Sequence, residues 1–164
     1  MYQQCKLKLQ KTMRGAVAVE LALLSIPLLV LALGAAEFGQ ALYQYNTLVK
    51  TTRDAVRHLS QLNPAGKGYA EAQSEAKCLA VYGNTKCEGD PLVSGLTTDL
   101  VSIKHYANVT TDPDSTSSPT ISLVEVGISG YSFNFLFDPG AFLFLGGGEK
   151  SITFGDIRAT MRQS

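Results

Sequence analysis

The hydrophobic pattern of the chain begins with an apolar run of 21 residues, 16–36, that contains one charged residue, Glu20. A helix of this length rises about 31 Å, which is close to the thickness of a bilayer core. Four basic residues and no acidic ones precede the run, at Lys6, Lys8, Lys11 and Arg14. This charge bias predicts a single-pass membrane helix with its N-terminus in the cytoplasm and the rest of the chain outside.

After the run, the pattern becomes that of an amphipathic helix. Apolar residues recur in steps of three and four from Phe38 to Leu62, and Asn63 and Pro64 then end the periodicity. We therefore expect one helix over about 16–62. Residues 16–36 would cross the membrane, and residues 37–62 would continue outside it and pack one face on a globular domain. Pro27 and Gly34 predict a kink in the membrane half, because both weaken the helical hydrogen bonding.

Residues 63–164 are expected to form an extracytoplasmic domain. Helical spacing predicts a second helix over 69–83, and three later segments alternate in hydrophobicity as strands do. A change of phase near Gly155 and Asp156 predicts a β-bulge in the last strand. The fold class is therefore α+β, with a long N-terminal membrane-spanning helix packed on a small antiparallel sheet. The inward positions of the three strands are Val101, Ile103, His105, Ala107 and Val109; Val124, Val126 and Ile128; and Ile157, Ala159 and Met161.

Two of the three cysteines, Cys78 and Cys87, flank the end of the second predicted helix. In a small extracytoplasmic domain such a pair is most simply a disulfide. The rival is a zinc site completed by His58 and His105, but the spacing fits no usual zinc pattern. We expect no metal and no cofactor.

Residues 132–148 hold five of the seven phenylalanines of the chain, and Asp138-Pro139-Gly140 divides the segment. Neither side is long enough to cross a bilayer. One interpretation is a buried hairpin. The other is an apolar contact surface for a partner subunit or for the membrane interface. The residues in question are Phe133, Phe135, Phe137, Phe142 and Phe144.

Charge and motifs exclude several classes of function. The chain carries 14 basic and 14 acidic residues, but without the first 15 residues it has 10 basic and 14 acidic groups and a net charge of −4. A nucleic-acid-binding protein would normally show a basic face instead. The sequence also contains no nucleophile elbow, no metalloprotease pair and no phosphate-binding loop in a strand–helix context. We therefore expect that the protein is not an enzyme.

A carboxylate inside a membrane helix is costly, which makes Glu20 the unusual residue of the apolar run. It lies in the first turns, so one interpretation is an acid tolerated near the cytoplasmic interface. The other is a charge pair. If the chain were cut after Gly15, Ala16 would carry a new α-amino group with a pKa of about 8. That ammonium, on a neighbouring subunit, would neutralise Glu20.

The stretch from Lys11 to Glu20 resembles a class III signal site, in which a prepilin peptidase cleaves after a glycine and a glutamate is the fifth mature residue. Residues 14–59 are similar to the TadE-like pseudopilins of tight-adherence (Tad/Flp) pilus systems. The residues that carry the resemblance are Gly15, Glu20-Leu21, Pro27, Glu37-Phe38-Gly39 and Ala55-Val56-Arg57.

The resemblance implies a pilin-like fold, removal of residues 1–15 by cleavage between Gly15 and Ala16, and a role for Glu20 in assembly. The protein would be a minor pseudopilin in the inner (cytoplasmic) membrane. The assembly machine would extract it from the membrane into the pilus, or to the tip or base of the pilus. Its partners would be the prepilin peptidase, a TadF-like pseudopilin, the Flp pilin and inner-membrane assembly proteins, with roles in adherence and biofilm formation.

Two alternatives remain open from the sequence. In the first, the chain is an uncleaved membrane-anchored binding domain. In the second, it is a secreted domain that signal peptidase releases near Gly34-Ala35-Ala36. Glu20 inside the apolar run and the continuous periodicity after Glu37 both speak against secretion.

Overall fold

The computed structural model describes the backbone of residues 2–111, 120–136 and 150–163, and the side chains of these ranges from residue 15 onward. These residues form two helices, five strands and one 3₁₀ turn (Thr98–Leu100), with irregular connections between them. The fold class is α+β, as predicted. The elements are α1 (Tyr2–Ser60), α2 (Tyr69–Tyr82), β1 (Val101–Thr110), β2 (Thr120–Ile128), β3 (Ser132–Asn134), β4 (Ser151–Thr153) and β5 (Ile157–Gln163).

Helix α1 is longer at its start and shorter at its end than the pattern predicts. It begins at Tyr2 rather than Ala16, because the leader contains good helix formers and no proline. It ends at Ser60 rather than Leu62, where the side chain of Gln163 donates hydrogen bonds to the carbonyls of Leu59 (3.2 Å) and Leu62 (2.9 Å). The helix is continuous through Pro27, and the kink there stays a prediction.

The chain divides into two compact units. One consists of Met1–Gln40 and Phe135–Lys150, and holds the apolar half of α1. The other consists of Ala41–Asn134 and Ser151–Ser164, and holds α2, all five strands and the second half of α1.

The second unit contains the hydrophobic core, to which both helices and the larger sheet contribute. The stripe predicted along α1 supplies one wall, and three alanines of α2 allow that helix to pack closely. This part of α1 is therefore a core helix of the second unit. Buried core residues include Leu48, Ala55, Val56 and Leu59 of α1, Ala72, Ala76 and Ala80 of α2, and Val101, Val124, Val126, Ile128 and Ile157 of the sheet.

The larger sheet has the strand order β1-β2-β5 and is antiparallel throughout. The alternation predicted for β2 is confirmed, because Val124, Val126 and Ile128 are fully buried. In β1 the inward face is covered only at its start. Val101 is buried, whereas His105 and Ala107 are exposed.

The bulge predicted near Gly155 and Asp156 is wrong. Residues 151–153 form β4, which pairs with β3 in a separate two-stranded antiparallel sheet, and β5 begins only at Ile157. Between them, the N–H of Phe154 donates to the carbonyl of Tyr131 (2.8 Å). The change of hydrophobic phase therefore marks a transfer of the chain from one sheet to another.

Candidate functional site

The apolar segment of α1 leaves its side chains uncovered. None of residues 15–36 is buried, and apolar side chains around the whole circumference are mostly more than half exposed, from Val17 at 63% to Leu31 at 75%. A core helix of a soluble protein would bury one face. Among the described residues, α1 is the one helix long and apolar enough to cross a membrane. Its surface is suited to lipid or to other apolar helices.

The residues proposed for cleavage and assembly lie at the start of this segment. Gly15, Ala16 and Glu20 are all helical and exposed, and a side chain at position 15 would meet no atom within 4 Å. Ala16 and Glu20 are four positions apart and share a helix face. Glu20 forms no hydrogen bond or ion pair with any side chain described here, so this structure leaves its carboxylate available to another molecule.

Glu37 is the residue whose setting sequence reasoning missed. It is the first residue after the apolar run, yet it is only 9% exposed, and its Oε2 accepts a hydrogen bond from the N–H of Leu136 at 3.3 Å. The helical stripe was the available signal. Glu37 precedes Ala41 by four residues and Leu48 by eleven, which places all three on one face.

The start of the Phe-rich segment pairs with the backbone of residues 150–153. Strands β3 and β4 pair antiparallel, and the N–H of Phe135 donates to the carbonyl of Lys150 at 2.8 Å. Phe133 is buried (3% exposed) and Phe135 is half-buried. Phe137, Phe142 and Phe144 lie outside the described residues. The hairpin interpretation is thus supported at its base.

Tyr131 connects the start of β3 to α1. Its hydroxyl lies 2.9 Å from Oε1 of Gln44 and 2.9 Å from the carbonyl oxygen of Ser94. Its ring packs against Phe154, which in turn makes an edge-to-face contact with Tyr45, each at 5.6 Å between centroids. Burial raises the pKa of the Tyr131 hydroxyl above its usual value.

The predicted disulfide is present between Cys78 and Cys87, with the Cα atoms 4.7 Å apart. Both thiols are therefore used in a covalent bond and are not available as zinc ligands. The histidines of the rival zinc site are also apart. His58 lies 3.2 Å from a carboxylate oxygen of Glu75 on α2, and His105 is exposed on β1.

A groove of about 490 Å³ runs between α1 and the residues near the disulfide. Lys50 and Asp54 lie on its α1 side, and neither takes part in an ion pair within the described part of the chain. Tyr43, Thr47, Leu79 and Leu92 also line the groove.

The comparison with known families selects the same part of the chain. Residues 15–57 match the sequence model described as "TadE-like protein". No curated protein and no solved structure is significantly similar to the chain. The match begins at the predicted cleavage site, covers the whole apolar segment and ends within the last turns of α1. Residues 15–57 are therefore similar to the TadE-like family, a family associated with Tad pili.

Proposed function

We propose that the protein is a minor pseudopilin, a structural and assembly subunit of a Tad (Flp-type) pilus that serves adherence and biofilm formation. The observation that carries the proposal is the coincidence of three features in one helix. The TadE-like match, the uncovered apolar surface and the Gly15-Ala16…Glu20 arrangement all begin at the same point of α1. A second compact unit with its own core then follows, as a subunit with an extracytoplasmic domain requires.

In this proposal the protein is not an enzyme. Among the described residues, Cys78 and Cys87 are joined in the disulfide and His58 lies beside Glu75, so these three side chains make structural contacts. The charged groups at the start of the apolar segment of α1 would instead be used in assembly.

The proposed topology is a single pass through the inner membrane, with residues 1–15 in the cytoplasm and the second unit outside. The prepilin peptidase would remove residues 1–15 at the cytoplasmic face. The partners would be a TadF-like pseudopilin, the Flp pilin and the inner-membrane assembly proteins. The groove beside Lys50 and Asp54 offers such subunits a polar contact.

Glu20 would have its role after cleavage. The new ammonium of Ala16 on a neighbouring subunit would pair with its carboxylate and remove an uncompensated charge from the membrane. Each subunit would thereby gain stability on meeting the next.

The proposal is tested by substituting the glycine at the scissile bond. Gly15→Val should leave the full-length chain in the membrane and abolish piliation, because the peptidase needs an unhindered backbone there. Gly34→Val is the matched control, since a side chain at either position meets no atom within 4 Å. The control should be processed normally. Normal processing of Gly15→Val would contradict the proposal.

A further inference from the structure

The apolar run of α1 ends beside Glu37, which contacts Leu136 within the first compact unit. Glu37 immediately follows residue 36, so a helix that spans the bilayer with residues 16–36 brings Glu37 to the outer interface. The Glu37 carboxylate accepts the N–H of Leu136 at 3.3 Å. The backbone of Leu136 is therefore held within one side-chain length of that level.

Leu136 itself is 81% exposed, the highest value among the large apolar residues described as exposed. Its backbone is restrained by hydrogen bonds from two successive N–H groups. The N–H of Phe135 donates to the carbonyl of Lys150, and the next N–H along the chain is the one that Glu37 accepts. An exposed leucine alone needs no explanation in a soluble protein. A leucine that is restrained, exposed and close to the end of a membrane helix would face the bilayer.

We propose that Leu136 is a second membrane contact, which inserts at the boundary between headgroups and acyl chains and is positioned there by Glu37. The inference rests on the proposed membrane anchoring of α1. The occupant of this surface is lipid, because the contact is continuous with a helix segment whose side chains are uncovered all round. Phe38, which is 60% exposed, lies next to Glu37 and adds an aromatic ring at the same level, where aromatic side chains are favoured.

The role of Glu37 is positional. Its carboxylate is buried and accepts a backbone hydrogen bond, so it fixes where the chain at Leu136 meets the helix. Loss of this acceptor should let Leu136 leave the interface without unfolding the second unit, whose core contains neither residue.

The chain has no tryptophan, so a single introduced indole reports its own surroundings. Leu136→Trp, Leu28→Trp and Tyr106→Trp would each be made in the full-length chain and reconstituted alone into phospholipid vesicles. Leu28 lies within the apolar run and Tyr106 on the exposed face of β1. Lipids brominated near the headgroup or near the chain end would then quench each indole according to its depth.

The proposal predicts that Leu136→Trp has blue-shifted emission and is quenched mainly by the lipid brominated near the headgroup. Leu28→Trp should be quenched mainly by the deep probe, and Tyr106→Trp should be quenched by aqueous iodide and by neither lipid. Adding Glu37→Ala to Leu136→Trp should weaken lipid quenching and increase iodide quenching. Glu37→Gln, which keeps an acceptor oxygen, should preserve most of the lipid quenching.

Solvent-like emission of Leu136→Trp with no lipid quenching would overturn the inference, as would equal lipid quenching of Tyr106→Trp. Such a result together with normal deep quenching of Leu28→Trp would leave the membrane anchor intact and assign Leu136 to a protein partner instead. Absence of quenching at Leu28→Trp would mean that the anchoring itself is wrong, and the inference would fail with it.

Discussion

At the scale of single residues, Glu20 carries the assembly hypothesis. It lies on the same helix face as Ala16, is exposed, and has no partner among the described side chains. A carboxylate at the centre of a membrane helix costs about 2.5–3.5 kcal/mol, and less towards its ends. A partner that neutralises it would therefore favour association by a substantial part of that amount.

Substitutions at Glu20 separate charge from shape. Glu20→Ala should be cleaved but fail to incorporate, and Glu20→Gln should fail nearly as badly, because it keeps the shape and loses the charge. Glu20→Asp should retain partial function, since the charge remains while its reach shortens. Co-purification of each variant with sheared pili or with the partner pseudopilin measures the effect. Unaltered recovery of Glu20→Gln would end the pairing hypothesis and favour an interfacial acid.

Tyr131 is the residue whose hydroxyl holds separate parts of the second unit together. Tyr131→Phe should lower the free energy of unfolding by about 1–2 kcal/mol, because it leaves the Ser94 carbonyl and the Gln44 amide without this partner. Tyr106→Phe is the control, since its hydroxyl makes only an exposed contact of 3.5 Å with Glu125. Denaturant unfolding of both variants measures the difference, and equal losses would contradict it.

The same hydroxyl predicts an alkaline effect. Its pKa is raised by burial, so the unfolded chain releases this proton at a lower pH than the folded chain does. The stability it contributes is complete below a pH of about 10, the ordinary tyrosine value, and is lost as the pH rises through the higher folded pKa. The alkaline loss of stability should therefore be smaller in Tyr131→Phe than in the parent.

At the scale of elements, the disulfide fixes the end of α2 to the loop that follows. Inside this loop, the side-chain oxygen of Asn84 accepts the N–H groups of Lys86 and Glu88, each at 3.1 Å, and its amide donates to the carbonyl of Glu88 at 2.7 Å. Helix α2 itself ends at Tyr82 and is capped by Gly83, whose φ of 74° favours glycine. The loop is thus ordered by local hydrogen bonds as well as by the covalent bond.

Cys87→Ser should lower the free energy of unfolding by about 2–3 kcal/mol, the amount expected for closing a short loop. This variant is preferable to Cys78→Ser, because Cys78 is buried and a serine there would add a hydroxyl to the core. Reductant should destabilise the parent to the same extent and leave Cys87→Ser unchanged. Cys5→Ser should behave as the parent. Free thiols at both positions in protein taken from the envelope would refute the bond.

Sequence periodicity predicted the elements well where one face is buried continuously. The α1 stripe and the alternation of β2 are examples, because their burial repeats with the period of the element. The transfer between β4 and β5 was missed, because a bulge and a change of sheet give the same shift of phase. The hydrogen bond of Glu37 with Leu136 and that of Tyr131 with Gln44 join residues far apart in the chain, which local patterns do not encode.

At the scale of the whole molecule, the family match and the compact units divide the chain differently. The TadE-like match covers residues 15–57 and thus includes the apolar segment together with the part of α1 that enters the core of the second unit. Residues beyond the match supply α2, the sheets and the disulfide. In the proposed function, the assembly chemistry would belong to residues 15–57, and the surfaces that distinguish this subunit from others would belong to the remainder.

The intact mass of the protein isolated from the membranes of its host tests the central claim most directly. Cleavage by a prepilin peptidase predicts a chain that begins at Ala16 and has lost the four basic residues of the leader. The intact mass in the same spectrum should correspond to a chain in which Cys78 and Cys87 are joined by a disulfide. A chain that begins at Met1 would identify an uncleaved membrane anchor, and one that begins near Glu37 a secreted domain; either result would contradict the pseudopilin assignment.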